Sequence, residues 1–269
     1  MRFETESGVF LHLTSLPGSH GIGDLGTGAR EFLSFLQEAE QAYWQFCPLG
    51  PTSSAHGNSP YQSFSAFAGN PLLISLDRLV DDGWLTQEDL QPVPDFDEHA
   101  VDYEAVGEYK RDKLRTAHER FRETATDEDR AALEAFRAEE SWLDDYALFR
   151  ALKRKHDKVA WVDWPEPIRT RDPDALADAR EELSEEIEYR TLVQYWFDQQ
   201  WQALKTDAEA AGIKLVGDVP IYVGLDSADV WSSPEAFQLD AGNRPTAVAG
   251  VPPNPGDDGQ RWGNPLYDW

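Results

Sequence analysis

The opening of the chain alternates short apolar runs with one amphipathic helix, and this order constrains the fold more than any other feature. Residues 9–11 form an apolar run that a Pro- and Gly-rich turn closes. Helical spacing follows at Phe32, Phe35, Leu36 and Ala39. Residues 43–49 form a second apolar run that ends among prolines. A strand–helix–strand opening predicts a parallel sheet with helical crossovers.

The middle of the chain differs from the opening in composition. Residues 77–186 are strongly charged, and residues 93–104 within them are rich in Pro and Asp and predict a loop. One apolar face at nearly helical spacing is formed by Trp142, Tyr146, Phe149 and Leu152. These patterns predict a large helical insertion in the sheet-forming chain.

The last part of the chain returns to the strand pattern. A long apolar helix face is formed by Tyr189, Val193, Phe197, Trp201 and Leu204, with Gly212 at the expected helix end. Residues 213–219 then form a third apolar run that carries Asp218 near its end. The three runs predict a partial α/β barrel. Its expected blocks are residues 1–76 with strands one and two, 77–186 as the helical insertion, and 187–269 with strand three and a substrate loop.

Asp218 is the leading candidate for a functional acid, because α/β barrels keep their chemistry at the carboxyl ends of the strands. A carboxylate inside an apolar strand costs several kcal/mol unless it is paired or hydrogen-bonded. The alternative is a structural acid that pairs with an arginine or lies exposed at the strand tip. Position alone favours neither interpretation.

Two further segments attract attention next to the predicted strands. Residues 57–63 follow the second strand, and their small, amide and tyrosine side chains suit hydroxyl recognition and ring stacking, although turn formation explains them equally well. Asp226 and Asp229 follow the third strand, where either acid could cap the short helix suggested by residues 232–235.

The charge balance excludes several classes of partner. The chain has 50 acidic and 24 basic residues, which gives a net charge of −26. Nucleic acid and anionic membrane surfaces need a basic face, so neither is an expected partner. A dispersed acidic surface with few lysines predicts a halophilic protein, since concentrated salt screens the repulsion.

Cofactor and targeting signals are not evident in the sequence. One cysteine excludes an internal disulfide, and the six histidines lack metal-binding spacing, so no metal is expected. The glycine pattern at residues 21–26 is separated from the preceding strand, which argues against a dinucleotide fingerprint. The N-terminus carries no basic and apolar targeting signal, and no apolar run reaches about 18 residues. We therefore expect a cytoplasmic protein.

Taken in order, these segments resemble the amylomaltases, also called 4-α-glucanotransferases or disproportionating enzymes. The resemblance is carried by residues 8–12, 14–18, 21–26, 44–45, 48–52, 59–63, 142–149, 217–223, 226–231, 249–253 and 259–267. Each motif alone is modest, but their shared order is specific to that family.

The resemblance implies a (β/α)8 TIM-type barrel with helical insertions. It also implies a retaining reaction in which an α-1,4-glucan segment passes through a covalent intermediate to the 4-hydroxyl of another glucan. An Asp nucleophile and a Glu acid/base about 5–5.5 Å apart perform such reactions. The implied partners are α-1,4-glucans such as maltooligosaccharides, and no cofactor is implied.

The resemblance also implies roles for particular residues. Tyr61 would be an aromatic platform under the sugar at the cleavage point, and Asp218 would contact that sugar or hold the catalytic acids. Trp262 would lie in the substrate groove, with the loop 250–259 folded over it. The matched motifs imply further substrate contacts at Ser59, Pro253 and Asn264.

Two departures limit these implications. Residues 254–258 differ from the family's usual loop, and the family's catalytic acids lie beyond the position of Trp269. The resemblance therefore covers an N-terminal half that lacks its own catalytic residues and whose partner would be the C-terminal half of the barrel. Such a half barrel leaves open strand edges, so we expect marginal stability or self-association.

Three hypotheses remain open, in order of preference. The chain is part of a 4-α-glucanotransferase that is inactive alone, a non-catalytic glucan-binding or regulatory remnant, or an unrelated barrel enzyme that uses Asp218 with another local acid. The third hypothesis requires a second carboxylate at the same strand ends, which the sequence does not indicate.

Overall fold

The structure is a computed structural model that describes residues 5–54 and 57–269. The first four residues, part of the N-terminus considered above, lie outside the described residues. The strands are β1 (Gly8–Phe10), β2 (Tyr43–Gln45), β3 (Lys214–Val216), β4 (Val248–Val251) and β5 (Gln260–Pro265). The helices are α1 (Thr27–Glu38), α2 (Leu76–Asp81), α3 (Tyr103–Thr124), α4 (Asp127–Glu139), α5 (Leu143–Lys155), α6 (Glu166–Arg169), α7 (Pro173–Glu182), α8 (Ser184–Ala210) and α9 (Ala228–Ser232). Throughout the described chain, every helix falls short of the length or the apolar character that a bilayer crossing demands.

The chain forms two compact units, each built from three separate stretches. The first unit contains residues 1–49, 69–136 and 192–219. The second unit contains residues 50–68, 137–191 and 220–269. Each unit therefore draws on sequence from before, within and after the predicted insertion. The division into three consecutive blocks stays a prediction.

A three-stranded parallel sheet lies in the first unit. Its strand order is β1-β2-β3, and Val9 pairs with Trp44, which pairs with Leu215. The predicted α/β architecture is confirmed. Each strand has only three residues, and β3 ends at Val216, so the third apolar run leaves the sheet before Asp218.

The two faces of this sheet differ in their exposure. On one face Trp44 is fully buried, its ring meets Phe32 of α1 edge-on at 5.0 Å, and its Nε1 donates to the Leu11 carbonyl. On the other face the Phe10 side chain is 60% exposed and Val216 is 38% exposed. Parallel sheets are normally covered on both faces, so this sheet has one open face.

Helix α1 turns a different face inward from the one predicted. Its buried residues are Ala29, Leu33 and Leu36, whereas Phe35 is 55% exposed. Phe35 instead stacks beside Phe32 with ring centroids 5.9 Å apart. The helix itself was predicted correctly. Its buried face is rotated about the helix axis by roughly one residue from the predicted face.

A buried lysine ties three segments of the first unit together. Lys110 of α3 donates to Asp24 Oδ2 at 3.0 Å and to the carbonyls of Leu72 and Ile74 at 2.8 and 2.9 Å. Its side chain is fully buried, and that of Asp24 is 11% exposed. We call this arrangement the Lys110 anchor. It satisfies the three donors of the ammonium group, which makes the burial of its charge tolerable.

The second unit combines an aromatic core with an antiparallel hairpin. Phe149 of α5, Trp164 and Trp231 of α9 contact one another with centroid separations of 5.5–5.9 Å. Strand β4 pairs with β5, and Gly250 lies opposite Arg261. The loop predicted over residues 250–259 is therefore shorter, because Gly250 and Val251 belong to β4.

Candidate functional site

A cavity of about 380 Å³ lies within the second unit. Its walls come from residues 62–64, 160–162 and 224–226, together with Arg244, Trp262 and Gly263. Five stretches that are separate in sequence thus converge on one space. Trp262, one of the predicted site residues, lines this cavity.

Gln62 joins the walls on one side of the cavity. Its Nε2 donates to Asn264 Oδ1 at 2.9 Å and to the Trp262 carbonyl at 3.4 Å. Asn264 Nδ2 in turn donates to the Val223 carbonyl at 3.0 Å. Asn264 is only 3% exposed, so its amide serves to hold the segments that carry Trp262 and Val223. We call these three contacts the Gln62 node.

Trp262 presents its ring at the cavity and remains 39% exposed. Its Nε1 donates to Gln260 Oε1 at 2.9 Å, and its ring lies 6.4 Å from that of Tyr222. The hydrogen bond holds the Nε1 edge of the indole in place. A half-exposed tryptophan beside polar groups suits a ligand with an apolar face.

A lysine holds together the lining segments 160–162 and 224–226, in an arrangement like that of Lys110. Lys153 of α5 donates to Asp226 Oδ2 at 2.5 Å and to the carbonyls of Lys158 and Val159 at 2.8 and 2.9 Å. Asp226 Oδ1 accepts from the Trp161 amide at 3.1 Å. We call this arrangement the Lys153 anchor, and it links these two segments.

The two candidate helix caps have other roles. Ser227 caps α9 by accepting from the Val230 amide, and the short helical turn at Pro234–Ala236 follows Ser233 without a side-chain cap. Neither Asp226 nor Asp229 therefore caps the helix suggested by residues 232–235. Asp229 Oδ2 accepts from the Ala66 amide at 3.2 Å, and burial raises the pKa of its carboxyl group. Burial also raises the pKa of Tyr267, with a contribution from the charge of Asp229.

The remaining predicted residues do not line the cavity. Tyr61 is 46% exposed, and its amide donates to Ser59 Oγ at 3.3 Å. Pro253 is exposed in the loop between β4 and β5. Asp218 belongs to the first unit, where it is exposed beyond β3 and accepts from the Val219 amide at 2.8 Å. Their predicted contacts with substrate stay predictions.

Sequence spacing did not reveal the residues that organise the cavity. Gln62 and Asn264 are 202 residues apart, and Lys153 and Asp226 are 73 residues apart. Gln62 lay inside a segment singled out for its composition, but its partner gave no local signal. Within residues 5–54 and 57–269, no three His, Cys, Asp or Glu side chains converge as metal ligands would.

Comparison with known proteins identifies a consistent set of relatives. The sequence profile of the 4-alpha-glucanotransferase family, glycoside hydrolase family 77, matches residues 11–269. A 4-alpha-glucanotransferase of Thermus thermophilus is 52% identical over 264 residues, which covers 97% of this chain and 52% of that protein. One from Streptococcus pneumoniae is 45% identical over 269 residues and is likewise covered over 52% of its length.

Solved structures give the same result. The amylomaltase from Streptococcus agalactiae in complex with acarbose superposes with a TM-score of 0.93 at 43% identity, over 99% of this chain and 54% of that one. The amylomaltase from Corynebacterium glutamicum, at 19% identity and a TM-score of 0.70, shares the fold. The chain spans about half the length of these 4-alpha-glucanotransferases and of the Streptococcus agalactiae amylomaltase.

Proposed function

This chain belongs to the 4-alpha-glucanotransferase family, and on that premise we propose that it is the N-terminal part of a retaining glucanotransferase. The whole enzyme moves α-1,4-glucan segments from a donor to the 4-hydroxyl of an acceptor glucan. The observation that carries this proposal is the likeness of nearly the whole chain to an amylomaltase solved with acarbose.

The open face of the sheet supports the architectural part of the proposal. In a (β/α)8 barrel the inward face of every strand is packed by side chains from the other strands. Here Phe10 and Val216 are exposed on the face away from Trp44. We propose that β1–β3 are the first strands of such a barrel, and that the C-terminal half of the enzyme covers this face.

The site residues divide into two proposed roles. Tyr61, Ser59, Trp262, Pro253 and Asp218 would contact the glucan, which the exposure of Tyr61 and Trp262 supports. Asn264 would position the Trp262 segment, since its amide is engaged with Gln62 and Val223. The nucleophile and the acid/base would come from sequence that follows Trp269 in the family's members.

A specific observation supports a second candidate function. The cavity is formed entirely by residues of the second unit, so glucan binding need not await the rest of a barrel. On this alternative the chain is a non-catalytic glucan-binding or regulatory remnant. Transfer activity distinguishes the two functions, because binding alone forms no new glycosidic bond.

The test compares the chain alone with a chimera that continues it with the C-terminal region of the Thermus thermophilus relative. Both are incubated with maltotriose, and glucose and longer maltodextrins are measured. We expect transfer by the chimera and none by the chain alone. Disproportionation by the chain alone would disprove the proposed location of the acids. Binding without transfer by a folded chimera would favour the remnant.

The acidic composition supports a proposal about conditions. At a net charge of −26 the acidic side chains repel one another in dilute buffer, and concentrated salt screens this repulsion. We therefore propose a halophilic enzyme that works in the cytoplasm. Its unfolding temperature should rise between low and molar KCl, whereas an unchanged temperature would contradict the proposal.

A further inference from the structure

Helices α1 and α2 begin close together in the first unit. Gly26 precedes α1 and Ser75 caps α2, and a Cβ on Gly26 would lie only 2.5 Å from Ser75 Oγ. Arg30 of α1 donates through Nη1 to the Gly26 carbonyl at 3.0 Å, and the Arg78 amide of α2 donates to Ser75 Oγ at 3.4 Å. This close approach brings Arg30 and Arg78 together, and we call them the arginine pair.

The guanidinium group of Arg30 is only partly hydrogen-bonded. Its Nη1 donates to the carbonyls of Leu25 and Gly26 at 2.8 and 3.0 Å, and its Nε lies 2.9 Å from Asp207 Oδ2. Its Nη2 is enclosed by protein and meets no acceptor in the described part of the chain. A buried N–H group without an acceptor lowers stability, so this arrangement is not explained by folding alone.

Arg78 has even fewer partners than Arg30. Its Nε is enclosed without an acceptor, and among residues 5–54 and 57–269 no carboxylate forms an ion pair with it. The positive charge of Arg78 opposes the burial that raises the pKa of Asp82, but the two side chains are not bonded. Arg78 is half-buried, so the outer edge of its guanidinium group faces solvent.

Positive charge is in excess at the arginine pair. Burial and the neighbouring charge of Arg78 lower the pKa of Arg30. The charge of Asp24 is matched by Lys110, and the first turn of α1 contains no acid to oppose the helix dipole. The chain as a whole has 50 acidic and 24 basic residues. Two adjacent arginines that share one bonded carboxylate, Asp207, therefore point to an anion from outside the chain.

The unbonded donors indicate the class of anion. Each guanidinium group presents a planar fork of N–H donors that matches the oxygens of a phosphate group. An oxyanion that meets the outer edge of Arg78 also reaches Arg30 Nη2 when the flexible Arg78 stem turns aside. Two forks require several acceptor atoms, which a tetrahedral phosphate group supplies and a halide ion does not.

From these observations we propose that Arg30 and Arg78 bind a phosphate group, which belongs either to inorganic phosphate or to a phosphate monoester. The phosphate group offsets the repulsion between the two guanidinium groups and accepts from the donors that the chain leaves unbonded. This site shares no residue with the cavity of the second unit, and it does not depend on the proposed function.

Titration calorimetry of the chain with inorganic phosphate, and separately with glycerol phosphate, measures the binding. Both titrations are made in KCl at constant ionic strength, so that a general salt effect is the same throughout. We expect saturable binding of at least one of the two. Binding of both shows that the phosphate group itself is recognised, and binding of one identifies the source. Binding of neither overturns the inference.

The decisive variant is Arg78→Met, which removes the charge and the donors and should weaken phosphate binding at least about tenfold. Arg78→Lys keeps the charge but loses the planar fork, and it should weaken binding about fivefold. The matched control is Arg111→Met, an exposed arginine on α3 in the same unit, which should leave the affinity unchanged. Equal affinities in Arg78→Met and Arg111→Met overturn the inference, because net charge alone would then attract phosphate.

Thermal unfolding verifies that the variants are folded and gives a second measurement. Without phosphate, Arg78→Met should unfold within about 2 °C of the wild type, because the variant relieves a repulsion between like charges. Saturating phosphate should raise the unfolding temperature of the wild type more than that of Arg78→Met, since only a bound ligand stabilises the folded state in this way. A large loss of stability without phosphate, or an equal rise in both proteins, overturns the inference.

Discussion

The Lys110 anchor of the first unit and the Lys153 anchor of the second use the same chemistry in different surroundings. Each lysine projects from a helix and donates to one carboxylate and two backbone carbonyls. The Lys110 side chain is fully buried, and Asp24 is 11% exposed. Lys153 is 7% exposed, and Asp226 is 25% exposed at the cavity wall.

The difference shows how one arrangement serves two purposes. Asp24 has little surface left, so the Lys110 anchor contributes to stability alone. Asp226 keeps a side open to the cavity while it holds Trp161 and Lys153. Comparison of the two anchors therefore separates what a buried ion pair contributes to the free energy of unfolding from what it contributes to ligand affinity.

The largest effect should come from Lys110→Met. This change leaves the buried Asp24 carboxylate and two carbonyls without their donor, and breaking such a pair costs about 3–5 kcal/mol. Urea unfolding followed by circular dichroism measures the loss. The control is Lys205→Met on α8, an exposed lysine whose ammonium lies 5.9 Å from the centroid of the Trp201 ring, so its removal should cost at most about 1 kcal/mol. A loss for Lys110→Met as small as that of the control would show that the anchor is dispensable.

The next effect should come from Lys153→Met. Asp226 retains partial access to water, so the expected loss of stability is about 2–3 kcal/mol. Unlike Lys110→Met, this change should also weaken maltotriose binding, because it frees the wall formed by residues 160–162. Unfolding and calorimetric titration are measured on one preparation.

The matched control for Lys153→Met is Lys155→Met in the same helix. Lys155 pairs with Glu182 at the surface, and exposed pairs contribute about 0.2–1 kcal/mol. Its removal should leave maltotriose affinity unchanged. If Lys153→Met and Lys155→Met bound maltotriose equally well, the Lys153 anchor would contribute to stability alone, as the Lys110 anchor does.

An uncharged contact should have a smaller effect. Asn264→Ala removes the bonds to Gln62 and Val223 and should cost about 1–2 kcal/mol, since Gln62 can turn toward the cavity and recover a partner. Urea unfolding measures it against Asn254→Ala, an exposed position in the loop between β4 and β5. A cost above that of Lys153→Met would place the main support of the cavity in the Gln62 node.

The smallest effect should come from an ion pair near the surface, with a pH dependence. The Arg120 guanidinium and the Thr86 hydroxyl lower the pKa of Asp89 to about 2. The unfolded value is about 3.9, so the stabilisation is present above about pH 4 and is lost as the pH falls toward about 2. Solvent screening limits its size to about 1 kcal/mol.

Asp89→Asn tests this expectation. The variant should be less stable than the wild type at about pH 5, and the difference should shrink toward about pH 2 as the wild-type carboxylate is protonated. Thermal unfolding across this range measures the difference. A gap that stays constant with pH would assign the effect to hydrogen bonds that a neutral side chain also makes.

Local pattern was sufficient for elements that bury apolar residues. The runs around Val9, Trp44 and Leu215 predicted three strands, because each places an apolar side chain on the sheet face that also carries the buried Trp44. Their ends were predicted too far along the chain, since apolar residues continue past the last paired position. Strands β4 and β5 were missed because most of their residues are exposed and show no apolar alternation.

For the candidate site, the residues that could be predicted are those that lie in motifs shared with a known family. Trp262 and Asn264 came from a resemblance to known motifs, and the structure brings them together with Gln62. The pairing of Lys153 with Asp226 was out of reach, because helical and strand periodicities report only on neighbours within one element. A local interpretation of Asp226 as a helix cap was reasonable, yet the helix that begins there, α9, is capped by Ser227 beside it.

The sheet places its strands in chain order, with β3 arriving long after β2. During translation, β1 and β2 can pair soon after they leave the ribosome, whereas Lys214–Val216 emerges only after all of residues 46–213. At about 5–20 residues per second this interval is on the order of ten to thirty seconds. For that time the outer edge of β2 carries backbone groups without a strand partner, and such an edge is a template for pairing with another chain.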